Sequence, residues 1–224
     1  MNALREECWN LRDELIALRR EFHRAPELGL HEYHTAARIE RELDKCGIPH
    51  ERIGGETAVV ARLHGTGSGT GICVLRADID ALPIQETNDV PYRSETPGVM
   101  HACGHDAHTT CLLGAAKVLS AHRADFGGEV RFLFQPAEEI GQGARPLVAA
   151  HVLDGADRVL ACTQPRTFPP APWGCAPAAT TPPWTTSPSA STERARTSPR
   201  PSSAWTRSTS QASSSLRSSP SSRA

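Results

Sequence analysis

No apolar run in the 224-residue sequence is long enough to span a bilayer, and the N-terminus, charged throughout, lacks the apolar core of a signal peptide. Neither sign of charge predominates. The formal net charge is −1, which removes any general attraction to nucleic acid or an anionic membrane surface. No two cysteines stand at C-x-x-C spacing, which argues against a dithiol redox protein built on Cys103. The seven cysteines are odd in number and scattered, so they read as reduced thiols in a cytoplasm. The sharpest absence is local. Residues 162–224 contain no Val, Ile, Asp, Lys, His or Tyr and a single leucine, Leu216, while holding 11 of the 18 prolines. Without branched aliphatics such a segment buries too little apolar surface to offset its ordering entropy, so disorder is expected there.

Residues 1–161, by contrast, are patterned throughout. Leu4, Cys8, Leu11, Leu15, Leu18 and Phe22 recur at steps of four and three, which predicts one amphipathic helix ended by Pro26. His23, Glu27 and Glu32 follow in a turn where such residues are ordinarily solvated. A second helix is expected from about Glu32 to Cys46, with Tyr33, Ala36, Ile39 and Leu43 inward and Gly47 as its stop. Strands are expected at His50–Ile53, Ala58–Leu63, Ile72–Ala77, Glu129–Phe134 and from Asp157 to Ala161, and helices at His105–His122 and Ala144–His151. The alternation gives an α/β class. The glycine-rich GTGSGTG lacks the lysine of a phosphate-binding loop and reads as a flexible hairpin between two strands. Cys8, Cys46, Cys73 and Cys111 fall on apolar faces and are expected in the core.

Three short stretches carry the chemistry. HACGHDAHTT (101–110) places a thiol, Cys103, and three imidazoles, His101, His105 and His108, beside Asp106. Thiolate, imidazole and carboxylate are ligands for zinc and similar divalent metals. A C-x-H pair alone recurs by chance, and its ordinary reading is a buried cysteine beside a histidine. Cys103 and His105 lie at the start of a helix, whose positive end favours thiolate. RADIDALP (76–83) delivers Asp78 and Asp80 at a strand's C-terminal end, on one side of an extended chain. QPAEE (135–139) does the same with Glu138 and Glu139. Paired glutamates usually sit on solvated helices, but these follow an apolar strand and a proline. One would bind metal while the other takes a proton from activated water. Asp80 would orient a ligand by hydrogen bonding, and His101 and His108 are either supporting or substrate contacts or satisfied structural histidines.

These residues, with RREFHRAPELGLHE (19–32), LRADIDALPIQE (75–86), MHACGHDAHTT (100–110) and FQPAEE (134–139), resemble the metal-dependent amidohydrolases that include hippurate hydrolase, N-acyl-amino-acid hydrolases and auxin-conjugate hydrolases. The resemblance covers residues 1–161. It implies part of a zinc-exopeptidase-like catalytic domain, a mixed sheet with flanking helices, interrupted in the family by a smaller lid through which members often dimerise. By resemblance Cys103, His105 and Glu139 match ligands of a two-metal site (Zn, Mn, Co or Ni), Glu138 the general base and Asp80 the acid beside the site. The implied reaction is hydrolysis of the amide bond of a small N-acyl amino acid.

The tail departs from that pattern. After DRVLA the family continues with a Leu-His ligand, yet no histidine follows His151. Residues 162–224 read as coding sequence out of frame, since a one-base shift across Ala161, Cys162 and Thr163 permits Leu-His. With three of five expected ligands, no lid and exposed strand edges, the chain as written is expected to be inactive. Rival readings are a carboxypeptidase or deacetylase of the same fold, and a non-catalytic fragment with a vestigial metal site. In the latter, the tail's seven arginines against Glu193 would bind anionic partners non-specifically.

Overall fold

The computed structural model describes residues 2–161; the expectations of a disordered, out-of-frame tail, and of a missing lid, lie outside the described residues. The N-terminal helical face divides into α1 (Asn2–Asn10) and α2 (Arg12–Arg24), where one helix is expected. The division is a bend, because Leu11 N–H donates to Glu7 C=O and Leu15 N–H to Leu11 C=O across it. Helix α2 is anchored by the buried Leu18, Phe22 and His23, whereas in α1 Leu4 and Cys8 are exposed and Glu7 reaches His122 Nε2 at 2.6 Å. Cys111 is exposed as well, so neither of these cysteines belongs to the core.

Helix α3 (Tyr33–Lys45) starts where the Glu27 carboxylate accepts from the His34 and Thr35 N–H groups and the Thr35 hydroxyl, at 3.1, 2.8 and 2.8 Å. Glu27 thus satisfies N–H groups that a first turn leaves unpaired. Its inner face is Thr35, Ala36, Ile39, Glu42 and Leu43; Tyr33, expected inward, lies at the helix's first position and points to solvent. Gly47 ends it with φ +62°, as expected.

The sheet contains β1 (His50–Arg52), β2 (Val59–His64), β3 (Ile72–Asp78), β4 (Glu129–Gln135) and β5 (Arg158–Ala161), in the order β1-β2-β4-β3-β5. The β1/β2 and β2/β4 pairs are antiparallel; β4/β3 and β3/β5 are parallel. The expected β2–β3 hairpin does not form, because β4 lies between its two arms. EVRFLFQ is apolar enough to be covered on both faces, and such a strand takes the centre of a sheet. Its Phe132 and Phe134 face a core with Val59, Ala61, Leu63 and Ala77, under α2, α3 and α4 (His105–Ala121). Leu133 faces the other way, with Val60, Val74 and Leu147 of α5 (Ala144–Ala149). The glycine-rich segment crosses against the 126–128 turn instead: Gly65 N–H donates to Gly128 C=O at 3.0 Å and Gly67 N–H to Phe126 C=O at 2.8 Å. A Cβ at Gly127 would meet the Gly69 carbonyl oxygen at 2.4 Å. These glycines serve close backbone packing, not flexibility.

The β3/β4 register places Asp78 opposite Gln135, and Ile79 N–H donates to Gln135 C=O at 3.0 Å. DIDALP and QPAEE therefore leave the sheet side by side. Among the described residues no helix is long and apolar enough to cross a membrane.

Between α3 and α4 a buried carboxylate is tied to three cations. Glu42 meets Lys117 and Lys45 at 2.7 Å each, and Arg38. Burial alone would raise its pKa, but the bonds from Lys117, Lys45 and Arg38 prevail and bring it from 4.5 to about 2. A carboxyl depressed on folding stabilises fully above its unfolded pKa and loses that contribution as pH falls toward its folded one. Glu42→Gln is expected to cost about 3 kcal/mol in urea denaturation at pH 7. The gap from wild type should shrink progressively below pH 4.5; a gap independent of pH would contradict this account.

Candidate metal centre

Three chain segments converge at the C-terminal edge of β3 and β4. Asp78 ends β3 and Asp80 follows it, and from the turn after β4 come Glu138 and Glu139. Gly104, at φ +89°, turns the chain into α4 so that Cys103 and His105 join them. One ligand atom from each of Cys103, His105 and Glu139 lies within 4.8 Å of the others. His105 Nε2 stands 3.7 Å from Glu139 Oε1 and 3.9 Å from Glu138 Oε2. Its Nδ1 is 2.9 Å from the Asp80 carbonyl oxygen and 3.3 Å from Asp80 Oδ1. An Nδ1–H donated to Asp80 fixes the tautomer that leaves Nε2 as a metal ligand. The other Asp80 oxygen accepts the Glu139 N–H at 2.9 Å. Asp80 thus orients two of the three prospective ligands.

The donor set fits a cation. Glu139 Oε1 is buried without a hydrogen-bond partner, an arrangement that costs roughly 1–3 kcal/mol unless something positive meets it. The electrostatics agree. Burial lowers the His105 pKa, yet Asp80, Asp78 and Glu139 together raise it. Partial desolvation pushes the Cys103 thiol up, and the nearby Glu139, Glu138 and Asp78 carboxylates take it further, to about 11. This corrects the expectation that the helix N-terminus favours thiolate, since the carboxylates outweigh it. A divalent ion would reverse the balance. Cys103 is also exposed, unlike the buried cysteine of the ordinary reading.

Asp78, His105 and His108 form a second, wholly buried cluster. Here Asp78 is already engaged, by His108 Nδ1 at 2.6 Å and Arg76 Nη1 at 2.7 Å, so the cluster braces the site from beneath. His101 is buried, hydrogen-bonds through neither ring nitrogen, and is held neutral by burial, its pKa lowered to about 4.

Several supporting residues escaped the sequence reading. His23, expected to be solvated, is buried and joins Asp106 Oδ2 at 2.7 Å to Glu86 Oε1 at 3.1 Å. Glu32 is fully buried and accepts the Ala137 N–H at 2.8 Å, holding a left-handed residue (φ +51°) immediately before Glu138. Their partners lie 63–105 residues away in sequence, so no local periodicity reveals them. The one available signal was their place in the HRAPELGLHE motif.

Residues 74–214 match the sequence profile of peptidase family M20/M25/M40. An N-acyl-L-amino acid amidohydrolase of Geobacillus stearothermophilus is 47% identical over 161 residues, 70% of this chain and 43% of that protein. Thermostable carboxypeptidase 2 of Saccharolobus solfataricus is 41% identical over 172 residues, 75% of this chain and 44% of that protein. Among solved structures, the YXEP protein of Bacillus subtilis, described as a dinuclear metal binding peptidase, superposes with a TM-score of 0.68 at 41% identity. That superposition covers 71% of this chain and 45% of the YXEP chain. The chain thus spans less than half the length of each of these relatives.

Glu32→Ala should remove the side-chain hydrogen bond to the Ala137 N–H and lower stability by about 1–3 kcal/mol. Glu32→Gln keeps an acceptor oxygen and should cost less. Equal losses for the two variants in chemical denaturation would show that burial of the side chain, not the bond, matters.

Proposed function

This chain belongs to peptidase family M20/M25/M40, and from that membership we propose that residues 1–161 are the N-terminal part of a two-metal amidohydrolase catalytic domain. In this reading Cys103, His105 and Glu139 hold divalent metal, Glu138 is the general base, and the reaction is hydrolysis of the amide bond of an N-acyl amino acid. The observation that carries it is the meeting of Cys103, His105 and Glu139 within 4.8 Å, at the edge where two parallel strands end. Divalent metal bound there supplies Lewis-acid polarisation of the amide carbonyl and a more acidic water.

The chain's own residues do the rest. Glu138, with 42% of its side chain open, stands beside His105 and accepts the proton of the attacking water. It then hands that proton to the departing amine nitrogen. Asp80 keeps the His105 ring and the Glu139 backbone in register while the substrate reacts. The products are a carboxylic acid and an amino acid. Residues 1–161 supply three of the five donors that the resemblance implies. The site's placement in a cytoplasmic protein, and pairing of family members through a lid, belong to the same reading.

Names among the relatives leave the leaving group open between amidohydrolase and carboxypeptidase chemistry. Two measurements decide. In equilibrium dialysis, the wild-type chain should retain zinc or cobalt, while Cys103→Ser, His105→Ala and Glu139→Gln each lose most of it and Glu138→Gln does not. With the reading frame restored by one base after Ala161, the longer product should hydrolyse N-acyl amino acids in a chelator-sensitive manner. Glu138→Gln should lower kcat by roughly 10²–10⁴-fold at unchanged metal content. Preference for blocked dipeptides would favour the carboxypeptidase reading, and turnover unaffected by chelator would overturn the metal mechanism.

A further inference from the structure

Cys103 sits on the four-residue loop 101–104 and His105 is the first residue of the helix that follows. What fixes the loop lies one residue further on. Asp106, buried in the first turn of α4, uses Oδ1 to accept the Ala107 N–H at 2.9 Å and turns Oδ2 outward toward α2. There it meets His23 Nδ1 at 2.7 Å and Arg19 Nε at 2.8 Å. The far side of the His23 ring reaches Glu86 Oε1 at 3.1 Å. Glu86 in turn accepts the Ser94 N–H at 2.6 Å and the Asn88 side-chain amide at 3.1 Å. The same Glu86 therefore orders the segment that leads into Cys103, and that segment closes where Leu82 and Met100 exchange backbone hydrogen bonds of 3.0 Å. On the opposite side, β3 holds α4 through His105 Nδ1 to the Asp80 carbonyl and Thr109 to the Asp78 carbonyl at 3.0 Å.

We propose that the Glu86–His23–Asp106 chain is a positioning relay that sets the spacing of Cys103 and His105 for metal, with Arg19 as its outer clamp. The relay bridges the two ends of the ligand-bearing loop, the 86–94 segment before it and the first turn of α4 after it. Both ends are anchored to one imidazole on α2. Rotation or retreat of that imidazole moves the thiol relative to the His105 ring, whose own position β3 fixes independently. No relay residue belongs to the Cys103, His105 and Glu139 cluster, although Arg19, His23 and Glu86 line the cavity that reaches Cys103. The relay's effect is on how well two ligands converge, and residues that orient metal ligands in this way typically govern affinity by roughly 10–100-fold.

This inference rests on the metal-site reading above, and the test separates the two. The full chain is titrated with cobalt(II), following both the dissociation constant and the thiolate-to-cobalt charge-transfer absorption, which reports the Cys103–metal bond itself. Cys103→Ser is the control. If wild type lacks the band, or Cys103→Ser keeps it, the metal-site reading fails and takes the relay with it. Given a normal control, affinity should fall in the order wild type, His23→Gln, His23→Ala. Glutamine keeps one donor for Asp106 and gives up the link to Glu86. The charge-transfer band should shift or weaken in the same order, roughly 10–100-fold in affinity at the extreme, in variants whose apo circular dichroism matches wild type. Where His23→Ala does not fold, Glu86→Gln and His23→Gln carry the comparison. Wild-type affinity and an unchanged band in every folded relay variant would overturn the proposal.

Discussion

The carboxylate of Asp80 is the interaction on which the site depends. One oxygen takes the backbone N–H of Glu139, and the other lies beside the His105 ring, whose Nδ1 also meets the Asp80 carbonyl. A single side chain at the end of β3 thereby joins the turn after β4 to the start of α4. It occupies that position because β3 and β4 pair in parallel, so both strands end at the same edge. Parallel neighbours with helices on their faces place ligand groups at that edge as a matter of topology.

Around this bond the charges are arranged against a background of burial. Asp78, Asp80 and Asp106 all have depressed pKa values although burial pushes each upward, because each faces a histidine or arginine. The exception is instructive. Near Cys103 desolvation and carboxylates not fully answered by cations act in the same direction, and the thiol is driven up. The local excess of negative charge is concentrated where three ligand atoms converge, as a cation-binding site requires.

The sequence was most legible where chemistry and periodicity coincide. The apolar runs at 59–64, 72–78 and 129–135 and the amphipathic 33–45 segment lie within a residue or two of their expected limits, because a period of two or of 3.6 is a local property. Cys103, His105, Glu138 and Glu139 were legible as a group through the resemblance of their motifs to the amidohydrolases, since a C-x-H pair or adjacent glutamates alone are weak signals. Strand order was not, since nothing local to GTGSGTG says that a strand 58 residues beyond Gly71 will part the arms of the expected hairpin. Nor was the burial of His23 and Glu32, whose hydrogen-bond partners are fixed only by tertiary structure. Tyr33 and Cys8 erred for a simpler reason. Helical spacing places residues on a face but does not say how far along the helix the neighbouring core extends.

The central position of β4 has a consequence for how the molecule forms. Strands β2 and β3 do not pair with each other in the final sheet: β2 has β1 beside it, but β3 must wait for β4 and β5, both encoded after α4. The contacts that complete the sheet are thus long-range, of the kind that delays folding until much of the chain is present. The turn that follows β4 carries Glu138 and Glu139. The acidic half of the site therefore arrives with the closure of the sheet, so that a metal ion held there, as proposed, would report completed folding.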